Sequence, residues 1–312
     1  MKNILKLAAL SMLLFSNLTI QAQEALVKVT ARRNTNNSVD FVYEKPDPGT
    51  VTLILSFNDF TNTIASQKKD FTIKSTSGNV TTLTPTNKEQ GIGYSYSYSY
   101  IRGKLNPKYD TEFVYILPCK KGSKVRPAES TFVGATFFGD TTPADWKVYT
   151  FFTETADTVT AIRKGIVVDV KDKFESDENA NVEFSSKKNE LIVEHADGTM
   201  ATYIGFKKGS IPVKVGQTVF PGTILGVNSR SNVRSKFHSS IRIVYLKSLE
   251  FGRETAGTLQ KSNSVYGFVT PHFYTAEGAS VTLVPQQEYI GASTPEIIQK
   301  EFTKKELKST VK

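Results

Sequence analysis

The chain has 312 residues, with 39 Lys or Arg against 30 Asp or Glu, so its formal net charge is +9 at pH 7. A basic protein favours anionic partners such as wall polymers, and the lack of a basic helix or basic–aromatic groove motif excludes nucleic acid as a predicted partner. The single cysteine, Cys119, excludes an internal disulfide. Its Tyr-Ile-Leu-Pro-Cys context predicts a small buried hydrophobic residue, with a reactive thiol as the alternative.

Residues 1–23 have the three-part layout of a secretory signal peptide. Lys2 and Lys6 supply positive charge, residues 7–14 form an apolar run, and Gln21-Ala22-Gln23 is a small-residue cleavage region. The run is shorter than the roughly 20 residues that span a bilayer, and no later stretch approaches that length. The sequence therefore predicts export to the periplasm or cell surface and a mature chain without a transmembrane segment. A retained N-terminal anchor is the alternative.

Residues 24–145 are predicted to form an N-terminal β-domain. Short β-rich runs such as 51–57 and 113–117 are separated by turn residues. Several such runs in one span favour a β-sandwich. In residues 94–100 Tyr and Ser alternate strictly, so four Tyr share one face of the predicted strand. This row of Tyr either packs on a neighbouring sheet or stacks on sugar rings.

Residues 159–246 consist of short runs joined by glycine turns. They include AIRKGIV at 161–167, EHADGT at 194–199, TYIGF at 202–206 and PGTILG at 221–226. The pair Asp197-Gly198 suits a two-residue hairpin. In order and spacing these runs resemble the lysostaphin-like (LytM-type) zinc endopeptidase family, which cuts peptide crosslinks in bacterial peptidoglycan.

The resemblance implies a LytM-like peptidase-fold domain at residues 146–285, an open β-barrel with a duplicated hybrid motif and a cleft on one face. With the β-sandwich-like N-terminal domain, it predicts an all-β fold. Residues 286–312 are predicted to be a basic helical tail. Ser293-Thr294-Pro295-Glu296 has the capping hydroxyl, early proline and first-turn acid of a helix start, which predicts a short C-terminal helix over residues 296–308.

The family's zinc site has few counterparts in this sequence. The segment from Trp146 to Thr150 stands where a His-x-x-x-Asp ligand pair is expected, and it holds neither a His nor a carboxylate. In Tyr203-Ile204-Gly205, Gly205 stands at the position of a catalytic His. His238-Ser239-Ser240 matches only the first residue of a His-x-His motif, and Arg242 lies near the position of a common Glu. Neutral hydroxyl oxygens do not hold zinc well against water, so no metal, no cofactor and no catalytic residue are predicted.

The predicted function is that of a non-catalytic envelope protein that binds peptidoglycan or regulates a cell-wall hydrolase. The alternatives are an active peptidoglycan metalloendopeptidase with a rearranged metal site and a structural adaptor of the envelope. Of the other histidines, His195 is predicted to be structural, and His272 lies beyond the barrel motifs. The candidate cleft residues are Trp146, Tyr203, His238, Ser240 and Arg242, of which the last suits a peptide carboxylate.

Overall fold

A computed structural model describes residues 26–131, 142–175, 187–230, 235–249 and 265–310. The predicted signal peptide, residues 1–23, lies outside the described residues. Strands make up most of the regular structure, so the all-β prediction is confirmed. In the part of the chain that is described, no helix has the length and apolar character needed to cross a membrane.

Two three-stranded antiparallel sheets form the N-terminal domain, one in the order β1-β2-β5 and the other in the order β4-β3-β6. Alternate residues of each strand face inward, and Phe41, Leu53 and Phe57 from the two sheets share one hydrophobic core. The predicted β-sandwich-like domain is confirmed. Its strands are β1 (Lys28–Arg33), β2 (Val39–Glu44), β3 (Val51–Thr61), β4 (Lys68–Ile73), β5 (Ser77–Leu83) and β6 (Gly93–Arg102).

The row of Tyr in β6 faces the interior of this sandwich. Phe41 packs edge-on against Tyr94 and Tyr96, with ring centroids 5.5 and 5.0 Å apart. The serines between the tyrosines are exposed. The row therefore packs on the neighbouring sheet, which is the first of the two predicted alternatives, and it presents Ser rather than Tyr to solvent.

A nine-stranded sheet organises the rest of the chain, in the order β14-β11-β12-β13-β16-β9-β8-β19 with β17 added beside β16. The two ends of this order do not pair with each other within the described residues, so the sheet is open. The turn that contains Asp197 and Gly198 joins β12 to β13, but the connection spans residues 195–199 and is longer than the predicted two-residue hairpin, with Gly198 at φ +92°. The strands are β7 (Val114–Ile116), β8 (Lys124–Glu129), β9 (Tyr149–Thr153), β10 (Thr158–Thr160), β11 (Gly165–Lys171), β12 (Glu190–Glu194), β13 (Met200–Ile204), β14 (Thr218–Val219), β15 (Ile224–Val227), β16 (Phe237–Leu246), β17 (Tyr266–Phe268), β18 (His272–Tyr274) and β19 (Tyr289–Ile290).

Strand pairing differs from the predicted domain boundaries at 145/146 and 285/286. β8 lies between β9 and β19 in the nine-stranded sheet, and β7 pairs in parallel with β18. The sandwich core and the core of the large sheet share no residue, and the second contains Phe113. Because β7, β8 and β19 complete the second core, we propose that the N-terminal domain ends near Gly103 and that the sheet domain continues to Ile290.

Cys119 lies in the core of the large sheet and is 7% exposed. Burial raises the pKa of its thiol to about 12. The thiolate is the reactive form, so Cys119 is the small buried hydrophobic residue that its sequence context predicts.

The tail contains two short helices instead of the single predicted helix: α1 (Pro295–Gln299) and α2 (Lys304–Thr310). Thr303 and Glu306 form a capping box, in which Glu306 N donates to Thr303 Oγ1 at 3.3 Å and Thr303 N donates to Glu306 Oε2 at 2.6 Å. This box starts a new helix. Between the helices, Glu301 and Phe302 contact the sheet domain through Arg163 and Phe220.

Candidate functional site

The candidate site lies on the face of the nine-stranded sheet that points away from its core. The register places Ser240 of β16 opposite Thr150 of β9 on one side and Ile204 of β13 on the other. His238 and Arg242 share this outer face, because alternate residues of a strand point in the same direction. All of the site residues on β16 are therefore brought together in one row.

Three hydroxyl groups form a hydrogen-bonded chain on this outer face. Thr150 Oγ1 lies 2.7 Å from Ser240 Oγ and 2.6 Å from the Oγ of Ser130, the residue that follows β8. Thr150 and Ser240 stand at two of the positions where the resemblance places zinc ligands. These two positions are thus occupied by neutral side chains that hydrogen-bond to each other.

Trp146 lies beside the hydroxyl chain but is not part of the row of His238, Ser240 and Arg242 on β16. Its indole Nε1 donates to the carbonyl oxygen of Ser130 at 2.8 Å, and its ring centroid lies 4.7 Å from that of Phe268. The ring packs on a small hydrophobic cluster that includes Val148 and Met200. The third expected ligand position is therefore occupied by a packed indole linked through Ser130 to the hydroxyl chain.

Tyr203 does not line a cleft, so this part of the prediction is wrong. Its side chain is fully buried in the core of the large sheet, and its hydroxyl oxygen accepts a hydrogen bond from Ile162 N at 2.9 Å. Burial raises the pKa of the phenol. The residues before and after it, Thr202 and Ile204, occupy the outer face. Strand alternation is the signal that distinguishes them, once the register is known.

Gly205 follows β13 in a backbone conformation that is strained for residues other than glycine. Its φ is +98°, and a Cβ added there would lie 3.1 Å from the carbonyl oxygen of His238. A side chain at this position would meet both a strained backbone and the neighbouring strand. A histidine at this position would therefore require backbone strain and a small shift of the neighbouring strand.

His238 is a half-buried imidazole on the row. Its Nδ1 donates to the carbonyl oxygen of Lys236 at 3.1 Å, and its ring lies 5.8 Å from that of Phe152. Burial lowers its pKa, so the ring is neutral at pH 7. With Nδ1 as the donor, Nε2 carries a lone pair and can accept a hydrogen bond.

Arg242 supplies positive charge to the row. It lies opposite Thr202 and is half-buried. Burial raises the pKa of Tyr266, and the charges of Arg102 and Arg242 oppose that rise, which places a guanidinium near the phenol. Arg242 forms no ion pair with any residue that the structure describes, so its fork of N–H donors is available to a carboxylate.

The N-terminal domain covers the other end of this face. Thr50 donates to the Glu194 carboxylate through its backbone N at 2.6 Å and also through its hydroxyl. Gly103 approaches Met200, whose Cε would lie 3.1 Å from an added Cβ. Since Glu194 and Met200 are opposite each other on β12 and β13, this contact fixes the domain at one edge of the face. Met200 is opposite Val244 of β16, so this contact lies four residues along the strand from Ser240 and six from His238.

The side chains present do not fit a zinc ion. Zinc in proteins is held by thiolate, imidazole or carboxylate, usually by at least three such groups. Here the three expected ligand positions hold an indole and two hydroxyls. Across the described ranges, no group of three or more His, Cys, Asp or Glu lies close enough together to hold a metal.

Comparison with known proteins finds similarity to solved structures only. No protein-family model matches the chain, and no curated protein sequence matches it. A putative peptidase M23 from Pseudomonas aeruginosa is 13% identical, with 64% of this chain and 89% of that chain covered and a TM-score of 0.28. A zinc-containing peptidase from Vibrio cholerae is 13% identical, with 70% and 75% covered and a TM-score of 0.26. Csd3 of Helicobacter pylori is 11% identical, with 69% and 71% covered and a TM-score of 0.28. At this level of similarity none of these structures defines the metal content or the activity of this chain.

Proposed function

We propose that this chain is a non-catalytic envelope protein whose sheet domain binds peptidoglycan peptides or a cell-wall hydrolase. The observation that carries the proposal is the hydroxyl chain of Ser130, Thr150 and Ser240. In an enzyme of the family that the motifs resemble, two of these positions would bind zinc. Here each hydroxyl is hydrogen-bonded to its neighbour. These three side chains offer a cation neither a negative charge nor an imidazole.

The outer face supports binding of a peptide. Arg242 offers a guanidinium to a carboxylate, and His238 offers an acceptor nitrogen to a peptide N–H. Ile204 and Phe152 lie on the same face and give apolar contact beside these polar groups. A few polar groups placed among apolar side chains is the usual composition of a binding site. The net charge of +9 also favours an anionic wall polymer.

The two alternatives have less support. An active metalloendopeptidase needs a rearranged metal site, and no cluster of suitable ligands occurs among the described residues. An adaptor that binds partners through its tail needs that tail to be available. Glu301 and Glu306 instead pair with Arg163 and Lys164 of the chain's own sheet domain.

Sedimentation with purified peptidoglycan tests the binding proposal. The wild-type protein is expected to sediment with the polymer at low salt, and Arg242→Gln is expected to weaken this by about tenfold to a hundredfold, since loss of one charged hydrogen bond costs about 1.5–3 kcal/mol. Lys68→Gln is the matched control, because it removes one positive charge from an exposed strand of the other domain. Capture of a wall hydrolase without polymer binding supports the regulatory form of the proposal. Absence of both interactions contradicts it.

A further inference from the structure

The two sheets of the N-terminal sandwich meet along two seams, and hydrogen bonds bridge only one of them. At the seam of β1 and β6, the Tyr96 hydroxyl donates to Val29 O at 3.3 Å, and the Tyr100 hydroxyl accepts from Leu26 N at 3.0 Å. At the opposite seam, β4 pairs only with β3 and β5 pairs only with β2. Within the described residues no hydrogen bond joins β4 to β5, so this seam is open.

A cavity of about 240 Å³ lies in the open seam and is lined from both edge strands, by Phe71 of β4 and Leu83 of β5 among others. Phe57 and Leu83 also belong to the sandwich core, so the cavity opens onto that core. Ile64 lines it as well and is 93% exposed. Because an apolar cavity of about 150 Å³ can hold benzene, this one has room for an aliphatic side chain.

The backbone of β4 presents free hydrogen-bonding groups beside this cavity. Phe57 N donates to Gln67 O at 2.7 Å, and the register of β3 with β4 continues from that pair. In an antiparallel pair only alternate residues exchange hydrogen bonds, so the odd-numbered residues of β4 bond to β3. The N–H and C=O groups of Lys68, Asp70 and Thr72 therefore point away from β3, and all three residues are exposed.

Two lysines give this edge a charge preference. Lys68 and Lys69 are both exposed, and neither forms an ion pair with any residue that the structure describes. Lys69 lines the cavity, with its Nζ 5.2 Å from the ring centroid of Phe71. Lysines on an edge strand discourage pairing with neutral or basic strands, whereas opposite charges on facing strands attract. The edge is therefore selective for an acidic strand.

We propose that the free edge of β4 binds an extended acidic segment of a partner protein as an additional antiparallel strand. The sheet that contains β4 is itself antiparallel, and antiparallel pairs are the commoner kind. The register then sets the chemistry of the segment. Its residue opposite Phe71 is apolar and enters the cavity, and its residues opposite Lys68 and Lys69 are acidic. Main-chain bonds supply affinity and the alternate side chains supply specificity, independently of the outer face of the sheet domain.

Calorimetric titration of the full chain at low salt with a synthetic peptide tests the proposal. The acetylated and amidated peptide Val-Thr-Leu-Thr-Glu-Glu places leucine opposite Phe71 and the two glutamates opposite Lys69 and Lys68 in this register. It is expected to bind saturably with a dissociation constant of about 1 mM or below. The matched peptide Val-Thr-Leu-Thr-Lys-Lys is expected to bind at least about tenfold more weakly, because its charges repel those of the edge.

Variants of the edge separate its backbone from its charges. Thr72→Pro removes an outward N–H at no cost in ladder hydrogen bonds, and it is expected to weaken binding of the glutamate peptide at least about tenfold. The double variant Lys68→Glu/Lys69→Glu, which changes exposed side chains alone, is expected to bind the lysine peptide instead. Lys120→Glu/Lys121→Glu is the matched control, because it reverses two exposed charges of the sheet domain, and it is expected to bind like the wild type.

Three results would overturn the proposal. The first is no saturable binding of the glutamate peptide up to about 1 mM. The second is equal binding of the two peptides, and the third is wild-type binding by both edge variants. Light scattering of the full chain gives a separate check, since a dimer that Lys68→Glu/Lys69→Glu abolishes would assign the edge to a second copy instead of a partner.

Discussion

Thr150 Oγ1 and Ser240 Oγ lie 2.7 Å apart on neighbouring strands, at two positions where the sequence resemblance places zinc ligands. The contact is a direct hydrogen bond between neutral groups. Each of the two hydroxyls is thereby occupied by its neighbour, and Thr150 also bonds to the hydroxyl of Ser130, the residue that follows β8.

Removing the middle hydroxyl is expected to destabilise the sheet domain moderately. Thr150→Val keeps the shape of the side chain and leaves the hydroxyls of Ser130 and Ser240 without their shared partner. We expect a loss of about 1–3 kcal/mol in the free energy of unfolding, measured by urea denaturation. Ser97→Ala, on the exposed side of β6, is the control and is expected to change stability by less than about 0.5 kcal/mol. Equal effects of the two substitutions would show that the hydroxyl chain contributes nothing.

The tail is expected to depend on Arg163. This side chain is 4% exposed, donates to both oxygens of Glu301 and pairs with Asp197 at 2.7 Å. Arg163→Ala leaves two partly buried carboxylates without their partner, which is expected to cost about 3 kcal/mol. Hydrogen exchange in α1 and α2 is expected to accelerate as well.

An exposed ion pair provides the control for Arg163. Lys236 and Glu154 pair at 3.0 Å with side chains 52% and 81% exposed. Lys236→Ala is expected to cost less than about 1 kcal/mol, because solvent screens an exposed pair. Unchanged exchange in the tail of Arg163→Ala would refute the role of Arg163 in holding it.

Stability is expected to fall when the protein is acidified, because His195 is buried in its neutral form. Its pKa is about 4 in the folded chain against an ordinary value of 6.5. Between these two values the unfolded chain binds more protons, so the free energy of unfolding falls as the pH drops through that window. The contribution of this residue is about 3 kcal/mol.

Denaturation between pH 7 and pH 4 measures this effect. His195→Gln is expected to show a weaker pH dependence than the wild type, while His272→Gln retains the full dependence. His272 is the matched control because it lies on the short strand β18 and is partly exposed. Identical pH profiles for His195→Gln and the wild type would contradict the buried neutral state.

The contact between the two domains is expected to depend on Glu194. Glu194→Ala leaves the N–H and the hydroxyl of Thr50, a residue 1% exposed, without an acceptor. It also removes a nearby negative charge from the fully buried Lys45, whose pKa is already lowered by burial. We expect faster proteolysis between the domains and a loss of about 1–3 kcal/mol. Glu190→Ala, which breaks a more exposed pair with Lys171, is expected to have little effect.

The arrangement of the candidate residues on β16 follows more directly from the sequence than the extent of the domains does. Ser240, His238 and Arg242 share one face because they alternate along one strand, and this could be expected from the motif alone. Tyr203 points into the core rather than into a cleft, and the sequence alone does not predict this, because the direction of a side chain depends on the register of its strand with its neighbours. The pairing of β7 and β8 with distant strands has no local signal in the sequence.

The break between the two tail helices does have a signal in the sequence. Thr303 and Glu306 have the spacing of a capping box, which marks a new helix start inside the predicted helix. By contrast, the ring of His195 contacts the carbonyl oxygen of Lys164 and lies 6.3 Å from the ring of Tyr115, and no local pattern predicts these contacts between distant segments.

Metal analysis of the purified protein, combined with a turbidity assay on cell walls, tests the central claim most directly. If hydroxyl groups have replaced the zinc ligands, the protein contains far less than one zinc per chain after dialysis, and cell-wall suspensions keep their turbidity. Stoichiometric zinc together with lysis that a chelator abolishes would contradict the account.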